Sequence, residues 1–189
     1  MKNNLYYPQV SLSDKEIFAE IKKEREVIGY YSLPYVDTTV LKTRLDNLNF
    51  PQKQIAIIGI GGSTLGTYAI YNFLKYNKQH NKSLKKELFF FESTDPVNLN
   101  GTLAQLNLND TLFIVISKSG TTIETISIFK YLMSIIKIDK SNLLIITEDD
   151  SKLNTFARAN DINTFDIPKN VGGRFSVLSN VGLVPLYLA

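Results

Sequence analysis

Five hydroxyl side chains and one lysine crowd into nine residues at Ser117-Lys118-Ser119-Gly120-Thr121-Thr122-Ile123-Glu124-Thr125. The segment follows an apolar run and opens a helical pattern, so free backbone amides and the positive end of a helix dipole join the hydroxyls there. A phosphate monoester asks for this set: hydroxyl and amide donors, positive potential and little bulk. Helical spacing puts Thr121 and Thr125 on one face, with Thr122 beside them. Serine and threonine also cap helices, but one cap uses one such residue and five exceed that need. The segment is not a G-x-x-x-x-G-K-[ST] loop, so nucleoside triphosphate hydrolysis is not expected.

Two further segments carry unusual residues. Gly59-Ile60-Gly61-Gly62-Ser63-Thr64-Leu65-Gly66 lets backbone amides approach a ligand closely, and Ser63 can cap the helix that follows or bond the ligand. Gly59, Gly61 and Gly66 loosely echo a dinucleotide fingerprint, with the third glycine two positions late and Glu92 as the acidic partner. A nicotinamide-dependent oxidoreductase is therefore one reading of this loop, and a plain tight turn is another. The third segment is Asn170-Val171-Gly172-Gly173-Arg174-Phe175-Ser176-Val177-Leu178. A guanidinium behind two glycines can hold an anion or a developing oxyanion, or it can pair with a neighbouring carboxylate.

The elements that must position these loops are legible from the apolar runs. Ile55-Ala56-Ile57-Ile58-Gly59, Leu88-Phe89-Phe90-Phe91, Leu112-Phe113-Ile114-Val115-Ile116 and Leu143-Leu144-Ile145-Ile146 are continuous, with a weaker run at Asn163-Thr164-Phe165-Asp166. Unbroken apolarity is what a strand covered on both faces requires. Helical stretches fall between them at 63–78, 96–106, 121–136 and 149–160, with Asp95-Pro96 supplying an N-cap and a proline in the first turn. This alternation predicts an α/β, doubly wound parallel sheet. Residues 1–50 read as a helical extension, with helices at 15–28 and 37–47 packing on the main body through narrow apolar stripes. Lys75, Lys78, Lys82, Lys85 and Lys86 around His80 read as a solvated helix end and loop rather than an anion patch.

The chain has 189 residues, no cysteine, one histidine and a formal net charge of +3, which together remove several function classes. Disulfides, thiolate nucleophiles and Cys-ligated metals have no material, and a single histidine leaves little for a His-based metal site or catalytic triad. The charge excess is too small to point to nucleic acid. No apolar run approaches the roughly 18 residues of a membrane span, and the N-terminal residues lack the apolar core of a signal peptide. The expectation is a cytoplasmic protein with neither nucleic-acid nor membrane partners.

Taken together, the glycine loop, the hydroxyl-rich segment and Gly172-Gly173-Arg174-Phe175-Ser176-Val177-Leu178-Ser179-Asn180-Val181-Gly182 resemble the phosphoglucose isomerase family of the sugar isomerase (SIS) superfamily. Tyr30-Tyr31-Ser32-Leu33-Pro34-Tyr35 also looks like that family's lead-in to its first domain. The resemblance implies a flavodoxin-like, five-stranded parallel sheet over 51–175, a phosphosugar substrate, no cofactor and no metal. It implies that Ser117, Ser119, Thr122 and Thr125 hold the phosphate and that Gly62 and Ser63 line the sugar site. Lys118 would lie near the substrate, and Arg174 would stabilise the enediolate as a proton moves between C2 and C1 of glucose 6-phosphate or fructose 6-phosphate. The family's catalytic base, ring-opening histidine and lysine would follow residue 189. Residues 176–189 would start a helix leading to a second SIS domain, leaving an apolar face unburied in this chain, which alone would not isomerise. The full-length protein would be a homodimer. The competing expectation is a single SIS domain that senses a phosphosugar without catalysis.

Overall fold

The computed structural model describes residues 13–76 and 84–189. Five strands alternate with helices: β1 Gln54–Ile58, β2 Glu87–Phe91, β3 Thr111–Ile116, β4 Leu143–Thr147 and β5 Asn163–Asp166. All pair in parallel, in the order β2-β1-β3-β4-β5. This is the flavodoxin-like doubly wound order that the family resemblance implies. Seven helices accompany the strands among the described residues: α1 Asp14–Glu24, α2 Thr39–Leu48, α3 Leu65–Tyr76, α4 Pro96–Leu103, α5 Ile123–Ile135, α6 Lys152–Ala159 and α7 Asn180–Leu188.

Alternation along each strand divides the core into two layers. Ile55, Ile57, Leu112, Ile114, Ile116, Leu144 and Ile146 face one way, covered by Leu45 of α2, Tyr71 of α3, and Val181 and Val184 of α7. Ala56, Ile58, Phe113, Val115, Leu143 and Ile145 face the other, under Leu99 of α4, Ile128 and Leu132 of α5, and Leu153 and Ala157 of α6. Right-handed crossovers force this split. The chain runs from β1 outward to β2 through α3, then reverses, so the helices of the later crossovers fall on the opposite face. Residues buried on both sides are why these strands read as continuous apolar runs.

Three local expectations are corrected. The helix predicted at 15–28 ends at Glu24 and buries none of its residues, with Ile17 and Phe18 exposed; only α2 seats a side chain, Leu45, in the core. The first helix stands because Ser13 and Glu16 form a reciprocal capping box, with acidic residues in its first turn and lysines in its last. Conversely, the apolar stretch of α7 is not left unburied, because Val181, Gly182, Val184 and Pro185 pack under the sheet. Finally, α4, α5 and α6 are shorter than predicted, each losing up to three residues at an end, and α3 starts two residues late, its expected end at 78 lying outside the described residues.

Of the lysine-rich stretch, Lys78, His80 and Lys82 lie outside the described residues. Lys75 pairs with Glu87 at 3.3 Å, and Lys86 Nζ donates to the Phe50 carbonyl at 2.6 Å. Both are occupied by their own fold rather than held out for an anion. No helix among the described residues is long and apolar enough to cross a membrane.

Candidate active site at the carboxyl edge of the sheet

In this strand order the chain reverses direction between β1 and β3, and the loops leaving their carboxyl ends diverge to open a crevice. The loop after β1 is the glycine segment and the loop after β3 is the hydroxyl-rich segment. The topology therefore sets both beside the crevice.

The glycine loop departs from β1 with Gly59 still donating to the Phe91 carbonyl at 3.2 Å. Ile60 is extended, and Gly61 turns the chain with φ +60. Gly61–Ser63 forms a tight 3-10 turn, and α3 starts only at Leu65, so Ser63 sits in the turn and does not take the capping role that is one of its two readings. Gly62 is pressed against the arginine segment, where a Cβ would lie 2.2 Å from the Gly173 carbonyl oxygen. Gly66, the late third glycine, faces the Val177 side chain. Its missing Cβ makes room for Val177, in the turn before α7.

The hydroxyl-rich segment continues the sheet ladder through Ser117 N–H to the Ile146 carbonyl at 3.1 Å, then folds back with Gly120 N–H on the Ser117 carbonyl. Gly120 has φ +66, and a Cβ there would lie under 3 Å from Ser151 and Leu153, so glycine is required twice over. Ser117 Oγ donates to Thr122 Oγ1 at 3.1 Å. The expected helical face of Thr121 does not form, because α5 begins two residues later; Thr121 instead bonds Ser119 Oγ through both its amide and its hydroxyl. Thr122 heads α5 without a side-chain capping bond. Thr125, one turn on, is only 1% exposed, and its Oγ1 has no hydrogen-bond partner. Glu124 lies exposed in the first turn, favourable to the dipole.

An orphaned buried hydroxyl costs stability unless something satisfies it. Thr125 thus marks a polar position unsatisfied by the protein itself, at a helix start where anions are stabilised. Thr125→Val is expected to stabilise the unliganded protein by about 1 kcal/mol and to weaken inorganic phosphate binding by about tenfold. Chemical denaturation and calorimetric titration read the two effects separately. A variant that is destabilised without losing phosphate would remove Thr125 from the site.

The arginine segment follows β5. Gly173–Phe175 forms a 3-10 turn, closed by Phe175 N–H on the Gly172 carbonyl at 2.9 Å. Buried Ser176 donates to the Gly173 carbonyl at 2.6 Å, and Ser179 caps α7 through the Val181 amide. Upstream, Gly29 N–H donates to the Asn170 carbonyl, and the Tyr30 ring lies 4.8 Å from that of Phe175. Among the described residues Arg174 is exposed and has no carboxylate within 4 Å, so the reading of this arginine as half of a structural ion pair finds no partner.

Lys118 is placed differently from its neighbours. Its Nζ donates to the carbonyls of Lys169 and Val171, both at 2.9 Å, and lies 3.4 Å from Glu148 Oε1. Sequence reasoning missed Glu148 and the Lys169–Val171 backbone, because nothing local joins them to residue 118. Beyond them, Asp166 at the end of β5 is held above the ordinary carboxylate value by burial and by Asp149 and Glu148.

A cleft of about 880 Å³ lies between α1, Tyr30–Tyr35 and the arginine segment. It is lined by Arg174 but by none of Ser117, Ser119, Thr122 or Thr125. Its walls are mainly apolar and aromatic, so the donor chemistry, not the size of the cavity, locates the candidate site.

Residues 50–189 match the family model described as Phosphoglucose isomerase. The glucose-6-phosphate isomerase of Campylobacter jejuni is 38% identical over 98% of this chain and 47% of its own length. A crystal structure of a Thermus thermophilus protein superposes with a TM-score of 0.75 at 30% identity, over 92% of this chain and 42% of that one. A glucose-6-phosphate isomerase from Chlamydia trachomatis gives 0.65 at 26% identity, over 97% of this chain and 33% of that one. The chain spans about half the length, or less, of these relatives.

Proposed function

Since this chain belongs to the phosphoglucose isomerase family, we propose that it carries the phosphate-binding and oxyanion-stabilising half of a site that interconverts glucose 6-phosphate and fructose 6-phosphate. Ser117, Ser119, Thr122 and Thr125 hold the phosphate, with the start of α5 adding its dipole. Gly62 and Ser63 line the sugar. Arg174 faces the enediolate that forms when a proton leaves C2 or C1. A fixed cation beside an oxygen that gains charge stabilises the transition state more than the ground state. The reaction is a proton transfer and calls for no redox or organic cofactor.

The observation that carries this reading is the presence, on the same sheet edge, of an unsatisfied buried hydroxyl, Thr125, and an arginine that meets no carboxylate among the described residues. Proton abstraction needs a base, which the family resemblance puts after residue 189. The 189-residue chain assayed alone is therefore expected to bind fructose 6-phosphate without turning it over. The full gene product is expected to convert fructose 6-phosphate to glucose 6-phosphate in a dehydrogenase-coupled assay, and to form a homodimer. Fructose 6-phosphate should raise the Tm of both, and NAD of neither. Binding without turnover in the full gene product would replace the isomerase with a phosphosugar sensor. Stabilisation by NAD in place of the phosphosugar would return the glycine loop to the oxidoreductase reading.

A further inference from the structure

Lys118 leaves the hydroxyl-rich segment to which it belongs in sequence. Its ammonium meets three acceptors: the Lys169 and Val171 carbonyls at 2.9 Å each, and Glu148 Oε1 at 3.4 Å. Two of the three N–H donors of the ammonium are spent on those carbonyls, and Glu148 balances its charge. Its own carbonyl accepts from the Glu148 amide at 3.2 Å. One residue thus ties together the segments that leave β3, β4 and β5.

We propose that Lys118 is a positioning residue that fixes the Lys169–Val171 backbone and thereby presents Arg174 at the crevice. The inference rests on the reading of Arg174 as the enediolate partner, and it gives Lys118 no contact with substrate. Val171 is fully buried, and its carbonyl would lose a charged donor if the lysine were removed. Arg174 follows three residues later, after two glycines that transmit little stiffness of their own. Further restraints on this stretch come from Gly29 at the Asn170 carbonyl, from Ser176 at the Gly173 carbonyl, from the Lys169–Asp150 ion pair, and from local turn bonds of the Val171 and Phe175 amides. Lys118 is the restraint that comes from the phosphate segment itself. It links the phosphate donors directly to the backbone that carries the guanidinium. A point-like ammonium suits three acceptors converging from two loops, whereas a planar guanidinium does not.

The test uses the full gene product. Lys118→Met keeps the apolar stem and removes the donors. It is expected to lower kcat by about tenfold or more, to leave the Kd for inorganic phosphate unchanged, and to speed amide exchange in residues 169–175 with none in β3 or β4. In an Arg174→Ala background the same change should cost almost nothing further in kcat, because both act through one group. Should Lys118→Met not fold, Lys118→Arg retains the charge and is expected to show the same pattern more weakly. A tenfold weaker phosphate Kd, or a loss that multiplies with that of Arg174→Ala, would overturn the proposal and bring Lys118 into contact with substrate. Unchanged exchange in 169–175 would overturn it too. If the wild-type protein lacks turnover yet exchange in 169–175 still responds, the clamp stands and the isomerase reading falls.

Discussion

Arg174→Ala is expected to lower kcat for fructose 6-phosphate isomerisation by about 100- to 1,000-fold, with KM and inorganic phosphate affinity nearly unchanged. The guanidinium is exposed and makes no ion pair among the described residues, so its removal leaves no buried charge behind and should barely move Tm. Its effect is confined to whatever charge develops opposite it. An interaction made only in the transition state lowers kcat and kcat/KM equally. Steady-state kinetics on the full gene product, with calorimetric titration of inorganic phosphate, separates the cases. A raised KM with kcat intact would mean that Arg174 binds the phosphate and that the hydroxyl-rich segment does something else. Arg174→Lys should recover only part of the rate, since an ammonium lacks the fixed fork of donors.

Gly62→Ala is expected to have the second large effect, through backbone rather than side-chain chemistry. The added methyl would lie 2.2 Å from the Gly173 oxygen, 2.5 Å from its carbonyl carbon and 2.9 Å from the Arg174 nitrogen. All three are main-chain atoms, so no rotamer change relieves the clash. Either the glycine loop or the arginine segment must move. Overpacking of this kind costs about 1–3 kcal/mol, and a displacement of about 1 Å at a reacting group can cost about 100-fold in rate. The expected result is a lowered Tm together with a kcat loss approaching that of Arg174→Ala. Phosphate affinity should be held, because the hydroxyl-rich segment is braced from β4 and α6 through Thr147 and Ser151. A Gly62→Ala protein with full activity would mean that the two segments are not in register with one another during turnover.

Both predictions turn on how loops from distant parts of the chain meet, and this is where sequence and structure divide. The strands were legible because burial on both faces demands unbroken apolar runs, as in Leu112–Ile116. The candidate donors stood out because glycine and hydroxyl clusters at strand-to-helix junctions have few local uses beyond a single cap. The order of the strands followed from the family resemblance; composition and periodicity alone gave only the alternation.

Three features were decided by tertiary structure, and one more by a local contact that periodicity overlooks. Hydrophobic periodicity is the same whether or not a helix finds a surface, so the apolar residues of α1 stay exposed while α7 disappears into the core. The start of α5 moved past Thr121 because Ser119 offers that residue a competing turn, which a helical wheel does not include. Thr125 became informative only once its burial left the hydroxyl without a partner. Lys118 reads in sequence as one more cation beside a phosphate, yet its acceptors lie 51 and 53 residues away. Local sequence sets which backbone shapes and donors are available; long-range packing determines which acceptors reach them, because that depends on contacts no window of sequence contains.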